Sequence, residues 1–129
     1  MRALILDDEP SIGRVISRVA KAAGFSAQSV TDSTSFQSLS RLAPPDVVLL
    51  DLDLGGEDGV AQLRFLAAQR YKQAVVFMSG YDQRVLSSAE RLGRELGLDI
   101  LASISKPFRA EDLSALFERL AARHASSTC

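Results

Sequence analysis

The sequence is poor in cysteine and histidine, residues that commonly build disulfides and metal clusters. Cys129 is the only cysteine and the last residue given, so an internal disulfide and a cysteine cluster for a metal are both excluded. The single histidine, His124, lies in the same terminal stretch. We expect it to be inert, which leaves the carboxylates, hydroxyls and lysines as candidates for chemistry.

The sequence also lacks a charge excess and long apolar runs. Fifteen basic and 16 acidic side chains nearly cancel. Because basic residues form no stripe interleaved with aromatics, neither direct nucleic-acid binding nor a membrane partner is expected. The N-terminus, MRALILDDE, reaches acids after one short strand, which argues against a signal peptide or a membrane span. We therefore expect a cytoplasmic protein whose 129 residues form one domain.

Short apolar runs alternate along the chain with stretches whose apolar residues recur at helical spacing. The predicted strands cover residues 2–6, 25–30, 47–50, 74–78 and 100–104. The predicted helices begin at Pro10, about Ser33, after an Asp58 cap, at about Asp82, and after Pro107, the last one ending near Arg123. Val15, Val60 and Val85 are assigned to apolar helix faces, and Gly24 and Gly97 to helix ends. Residues 1–123 would form the domain and 124–129 a flexible tail.

This alternation predicts an α/β fold with a parallel sheet covered by helices on both faces. The expected architecture is flavodoxin-like, (βα)5, with strand order 2-1-3-4-5. The order reverses between strands one and three, so the ligand crevice should lie between the carboxyl ends of those strands. The second strand is less apolar than the others and should lie at the sheet edge.

The stretch VVLLDLDLGGEDG places a carboxylate, Asp51, at the end of a strand that reads as buried on both sides. Taken alone, Asp51 and Asp53 are explained equally well as polar residues of a loop. Asp51 becomes a stronger candidate for chemistry because other predicted strands also end in functional side chains.

Polar groups follow four of the predicted strands and should converge at one edge of the sheet. They are Asp7, Asp8, Asp51, Ser79 and Lys106. Carboxylates crowded together repel one another unless a hard cation neutralises them, and Mg²⁺ prefers one or two carboxylates with waters and phosphoryl oxygens. Separately, each residue has an ordinary explanation as a cap, a turn residue or a solvated lysine. Their joint occurrence at matching strand ends favours a site for Mg²⁺-dependent phosphoryl transfer.

Four motifs carry a family resemblance: LILDDEP, LLDLDLGGEDG, VVFMSGYD and SISKPF. In this order the chain resembles the receiver domains of bacterial two-component response regulators over residues 1–123. The resemblance implies that Asp51 is the phosphoacceptor. It also implies that Asp8, Asp51 and the backbone carbonyl of Asp53 bind Mg²⁺ directly, and that Asp7 acts through metal-bound waters.

The same resemblance implies roles for the remaining groups. Ser79 would sense the phosphoryl group, Lys106 would pair with it, and the Lys106–Pro107 bond would be cis. The donor would be a histidine kinase or a phosphotransfer protein, because His124 is not expected to serve. The domain would catalyse only its own phosphorylation and dephosphorylation. It would signal to a downstream effector, with possible homodimerisation, through helix 4, strand 5 and helix 5.

Three departures from the family pattern limit which family properties the resemblance implies for this chain. Gly55 and Gly56 follow Leu54 where a proline is usual. Ser103 occupies the position of an aromatic that often moves on phosphorylation in this family, so the resemblance does not imply an aromatic switch for this chain. The segment between Ser79 and Lys106 is also longer than is common by about five residues, enough for more than a turn of extra helix.

Two alternatives remain. A haloacid-dehalogenase-type phosphatase would use Asp51 and Asp53 as its nucleophile and acid–base pair, but in that family the metal-binding acids come last rather than first. A phosphorylation-independent interaction module is the other alternative, but it should have lost an acid or the lysine.

Overall fold

The computed structural model describes residues 1–53, 57–80 and 82–127, in which five strands alternate with five helices. The strands are β1 (Arg2–Leu6), β2 (Ser26–Val30), β3 (Val47–Asp51), β4 (Ala74–Ser79) and β5 (Asp99–Ser105). The helices are α1 (Pro10–Ala22), α2 (Ser33–Leu42), α3 (Glu57–Ala68), α4 (Gln83–Glu95) and α5 (Ala110–Ser127). None of these helices is both long enough and apolar enough to cross a membrane.

All strand pairs are parallel, in the order β2-β1-β3-β4-β5. The predicted flavodoxin-like order is therefore confirmed, including the weak second strand at the edge. β1 pairs directly with β3, which brings Leu6 beside Leu50. The residues that follow these two positions, Asp7 and Asp51, consequently meet at the carboxyl edge of the sheet.

Two hydrophobic cores, one on each face of the sheet, hold the strands in place. Val48 and Leu50 point to the face covered by α2, α3 and α4, and Val47 and Leu49 point to the face covered by α1 and α5. Every residue of β3 is buried. Burial on both faces explains why this strand is a continuous apolar run, and it fixes the position of Asp51.

The predicted helix terminators have the expected backbone geometry. Gly24 follows the C-cap of α1 with φ +93°, and Gly97 follows the C-cap of α4 with φ +83°. These left-handed conformations are strained for residues with a Cβ, so glycine is the residue that permits both turns. Pro10 is the first residue of α1, as its missing N–H predicts.

Two element boundaries and three side chains differ from prediction. α3 begins at Glu57, so Asp58 lies inside the helix rather than capping it. α5 continues to Ser127 instead of ending near Arg123, because backbone hydrogen bonds extend the helix past the last apolar repeat.

The predicted glycine loop at 55–56 and tail residues 128–129 lie outside the described residues. Val15, Val60 and Val85, which were expected on buried faces, are 43%, 37% and 45% exposed.

β5 contains an irregularity that the sequence pattern does not reveal. Val75 pairs with Ile100, but Val76 pairs with Ala102, so Leu101 is an extra residue in the ladder. A bulge of this kind shifts the register of the following side chains. Ser103, beyond the bulge, is exposed.

Gly13 allows α1 to approach the sheet closely, and its replacement by alanine should destabilise the fold. An added Cβ would lie 2.7 Å from the Cβ of Ser29, which cannot move without moving β2. We expect Gly13→Ala to lower the free energy of unfolding by about 1–3 kcal/mol despite its better helix propensity. Gly93→Ala is the comparison, since its Cβ would lie 2.6 Å from Cδ1 and 2.8 Å from Cγ1 of Ile100, atoms that can move by rotation of that side chain. Denaturant titrations showing the larger loss at Gly93 would contradict this packing.

Candidate functional site

The carboxyl edge of the sheet brings together the side chains predicted to converge there. Asp7 follows β1, Asp51 ends β3 and Ser79 ends β4, and all three are buried. Lys106 follows β5 and is half-buried. Its backbone N–H donates to the carbonyl of Ser79 over 2.7 Å, which ties the ends of the last two strands together.

Lys106 bridges the two buried carboxylates. Its Nζ lies 2.9 Å from Oδ2 of Asp7 and 3.0 Å from Oδ2 of Asp51. The second oxygen of each carboxylate accepts a backbone hydrogen bond of 2.9 Å from two residues further on, Glu9 N–H for Asp7 and Asp53 N–H for Asp51. This short-range pattern is typical of aspartate in turns. Both carboxylates are therefore held from two sides.

A third carboxylate completes a set of oxygens suited to a hard cation. Oxygens of Asp7, Asp8 and Asp51 lie within 4.8 Å of one another, and Asp8 is exposed to solvent. Oδ2 of Asp7 and of Asp51 are buried and, among the described residues, accept no hydrogen bond; their close polar contact is electrostatic, with Lys106. Three carboxylates face one ammonium, so the donor set fits a divalent cation such as Mg²⁺. The role of the Asp53 carbonyl stays a prediction.

Burial and charge act on the two central groups in opposite ways. Burial raises the pKa of the Asp51 carboxyl, and the charge of Asp7 adds to this, whereas the Asp53 N–H and Lys106 act in the other direction. Burial disfavours the charged form of Lys106, but its two carboxylate partners outweigh this and raise the pKa of its ammonium. At neutral pH Lys106 is therefore firmly cationic, whereas the ionised Asp51 is held at a cost to the fold.

The raised pKa of Asp51 predicts that Asp51→Asn stabilises the metal-free protein. A carboxyl whose pKa is higher in the folded state contributes stability below its unfolded pKa, near 3.8, and loses it as pH rises through the folded value. Asparagine resembles the protonated form and does not titrate. Thermal melts in chelator should show a stabilisation that is absent near pH 4 and grows toward pH 7. A pH-independent or negative difference would contradict the assigned shift.

The site opens to solvent through a cleft of about 650 Å³. Its polar lining comprises Asp8, Glu9, Asp51, Asp53, Asp82 and Lys106. The Asp53 side chain reaches across to Gly80, where a Cβ would lie 3.0 Å from its Oδ2. The receiver interpretation of the sequence gives no site role to Glu9, Asp82 or the Asp53 side chain. For Asp82 a signal existed, since an acid at a predicted helix start just after a strand must lie near that strand's end.

The geometry agrees with the comparisons to known proteins. The model of the response regulator receiver domain matches residues 3–118. This chain belongs to the response regulator receiver family. It is 31% identical over 116 residues to the transcriptional regulatory protein BaeR of Escherichia coli O6:H1, covering 88% of this chain and 45% of BaeR.

A second curated relative and a solved structure are also response regulators. The DNA-binding response regulator MtrA of Mycolicibacterium smegmatis is 32% identical over 114 residues, which cover 88% of this chain and 47% of MtrA. The structure of a response regulator from Colwellia psychrerythraea superposes with a TM-score of 0.83 at 29% identity, covering 95% of this chain and 97% of that one. The chain thus spans less than half the length of these curated relatives.

Family membership identifies this receiver as part of a two-component system, a signalling domain rather than a classical enzyme. Receiver domains bind Mg²⁺ at an acidic pocket, and response regulators interact with histidine kinases and downstream effectors. The aspartate cluster of this receiver has a set of oxygens that could hold a metal ion. The Lys106–Pro107 peptide bond is cis, as the resemblance implied.

Proposed function

We propose that Asp51 accepts one phosphoryl group from a histidine kinase or phosphotransfer protein, in a Mg²⁺-dependent reaction. The observation that carries the proposal is the clamped Asp51 carboxylate, held by Asp53 N–H and Lys106 Nζ at the floor of an open cleft. A nucleophile held in one orientation loses little freedom on reaching the transition state.

The proposed step moves a phosphoryl group between two carriers. An oxygen of ionised Asp51 forms a bond to phosphorus, the phosphorus–nitrogen bond of the donor's phosphohistidine breaks, and the imidazole keeps that bonding pair and takes up a proton. Lys106 and the Asp53 N–H favour the ionised nucleophile against the effect of burial. A metal ion held by Asp8, Asp51 and the Asp53 carbonyl, with Asp7 acting through its waters, would supply positive charge to the phosphoryl oxygens.

Lys106 and Ser79 would serve the phosphorylated state. An ammonium between two carboxylates can transfer its contact to a phosphoryl oxygen, which carries more charge. Ser79 ends the neighbouring strand and would donate its hydroxyl to the same group. Hydrolysis of the acyl phosphate within the same site would return the domain to its resting state, and this is the only other reaction we assign to it.

The output would travel through α4, β5 and α5 to a downstream effector, with homodimerisation through the same surface as one form of output. Ser103 is exposed and small, so this surface cannot rely on a buried aromatic. We propose displacement of α4 as the main response. Location in the cytoplasm and the absence of direct nucleic-acid and membrane contacts also remain proposals.

Stoichiometry distinguishes this function from the phosphatase alternative. With acetyl phosphate as a small donor and Mg²⁺, a receiver should take up one phosphoryl group per chain, and uptake should disappear in chelator. Quenched samples analysed by intact-mass spectrometry report the stoichiometry. Steady turnover of an unrelated phosphate ester such as p-nitrophenyl phosphate would favour the phosphatase, and absence of both reactions would favour an interaction module.

A further inference from the structure

Asp82 both caps α4 and lines the cleft. It is the N-cap of α4, where its side chain accepts a 2.9 Å hydrogen bond from the backbone N–H of Arg84 and its carbonyl accepts from Leu86 N–H. Asp82 is also among the residues that line the cleft with Asp51. It comes three positions after Ser79, the last residue of β4. A cap of α4 therefore borders the volume in which a phosphoryl group would sit.

The charge balance of the cleft makes this position consequential. Five carboxylates and one ammonium line it: Asp8, Glu9, Asp51, Asp53, Asp82 and Lys106. A phosphoryl group adds close to two negative charges and three acceptor oxygens. Asp51 has Lys106 as its counter-charge, whereas the Asp82 carboxylate accepts a hydrogen bond from the N–H of Arg84. Added negative charge in the cleft raises the electrostatic energy of that capping carboxylate.

We propose that Asp82 couples the phosphoryl group on Asp51 to α4. The charge added in the cleft repels the Asp82 carboxylate, weakens its hydrogen bond to Arg84 N–H and loosens the first turn of the helix. This inference rests on the proposed function and names the residue through which phosphorylation of Asp51 acts on α4. Because coupling is reciprocal, an Asp82 that is disturbed by the phosphoryl group must also oppose its binding.

An ordinary helix cap predicts a different outcome from a coupling residue. Asparagine and serine are good N-caps without charge, so Asp82→Asn and Asp82→Ser keep an acceptor for the helix while removing the repulsion. A role limited to capping would leave affinity for a phosphoryl mimic unchanged in both variants. Asp32 offers a matched control, because it caps α2 through Ser35 N–H at 2.7 Å and is not among the residues that line the cleft.

The test uses beryllofluoride with saturating Mg²⁺ and compares the whole chain with Asp82→Asn, Asp82→Ser and Asp32→Asn. Calorimetric titration should show roughly threefold to tenfold tighter binding in both Asp82 variants, as expected for like charges across a solvated cleft. The gain should shrink as salt rises from about 0.05 to 0.5 M, because screening shortens the range of the repulsion. Asp32→Asn should bind as the unchanged protein does.

Hydrogen exchange gives the second measurement. Beryllofluoride should increase exchange at residues 83–86 in the unchanged protein and less in the Asp82 variants. Equal affinities in all four proteins, or a gain of the same size in Asp32→Asn, would overturn the coupling while leaving the phosphoacceptor assignment intact. Absence of Asp51-dependent beryllofluoride binding in the unchanged protein would overturn the proposed function and the coupling with it.

Discussion

Lys106→Met is expected to slow phosphorylation of this receiver by about 100-fold to 1000-fold, the usual consequence of removing one preorganised electrostatic contact. The physical reason is the position of Nζ, 3.0 Å from the buried carboxylate of Asp51. Without it, Asp51 loses the cation that favours its ionised form, and the phosphoryl oxygens lose a partner. Methionine keeps much of the apolar stem of the side chain, so the packing around the site is conserved. Rates with acetyl phosphate and saturating Mg²⁺ measure the effect.

The same variant should bind Mg²⁺ more tightly than the unchanged protein. Lys106 contacts Asp7 and Asp51, two of the three carboxylates in the cation set, so ammonium and metal compete for the same charge. Lys72→Met removes an exposed lysine before β4, at the opposite end of the sheet, and should change neither quantity. Weaker Mg²⁺ binding in Lys106→Met, or an unchanged phosphorylation rate, would contradict the role given to Lys106.

Asp8→Ala is expected to weaken Mg²⁺ binding by more than 100-fold, whereas Asp7→Ala should weaken it by roughly 10-fold to 100-fold, the range typical of groups outside the direct ligand shell. The structure distinguishes the two acids. Asp7 is buried and already holds Glu9 N–H and Lys106, while Asp8 is exposed at the cleft. Asp8 is thus free to turn toward a cation, and Asp7 is restrained.

Metal titration of both variants tests that ranking, with Glu118→Ala on the exposed side of α5 as a control for removal of any acidic charge. The control should bind Mg²⁺ as tightly as the unchanged protein at ordinary salt. Equal losses in the two aspartate variants would mean that the direct and water-mediated positions are assigned wrongly.

The sequence predicts this fold well because burial on both faces leaves a strong pattern. The four apolar residues before Asp51 specify a central parallel strand, and Gly24 and Gly97 specify helix ends through their backbone freedom. The bulge at Leu101 leaves no such signal, since one extra residue in a strand looks like any other apolar residue. The sequence also predicts the end of α5 poorly, because the helix continues past the last apolar residue of its repeat.

The candidate site, like the fold, was predictable from the sequence only in part. Asp7, Asp51, Ser79 and Lys106 were predictable because each comes at the end of a strand, and parallel strands end at one edge. The contact of Lys106 with Asp7 was not predictable, since it depends on side-chain reach across two strands. The position of Asp82 after a strand indicates that it lies near the site, but a linear pattern cannot show that this helix cap lines the cleft.

Intact-mass spectrometry of the unchanged protein and of Asp51→Asn, each incubated with acetyl phosphate and Mg²⁺, tests the central claim most directly. Asparagine keeps the shape of the side chain and removes the nucleophilic charge. The account predicts one added phosphoryl group on the unchanged protein, none on Asp51→Asn, and full retention in the matched Asp32→Asn. An equal gain of mass in Asp51→Asn would place the acceptor elsewhere and contradict the account.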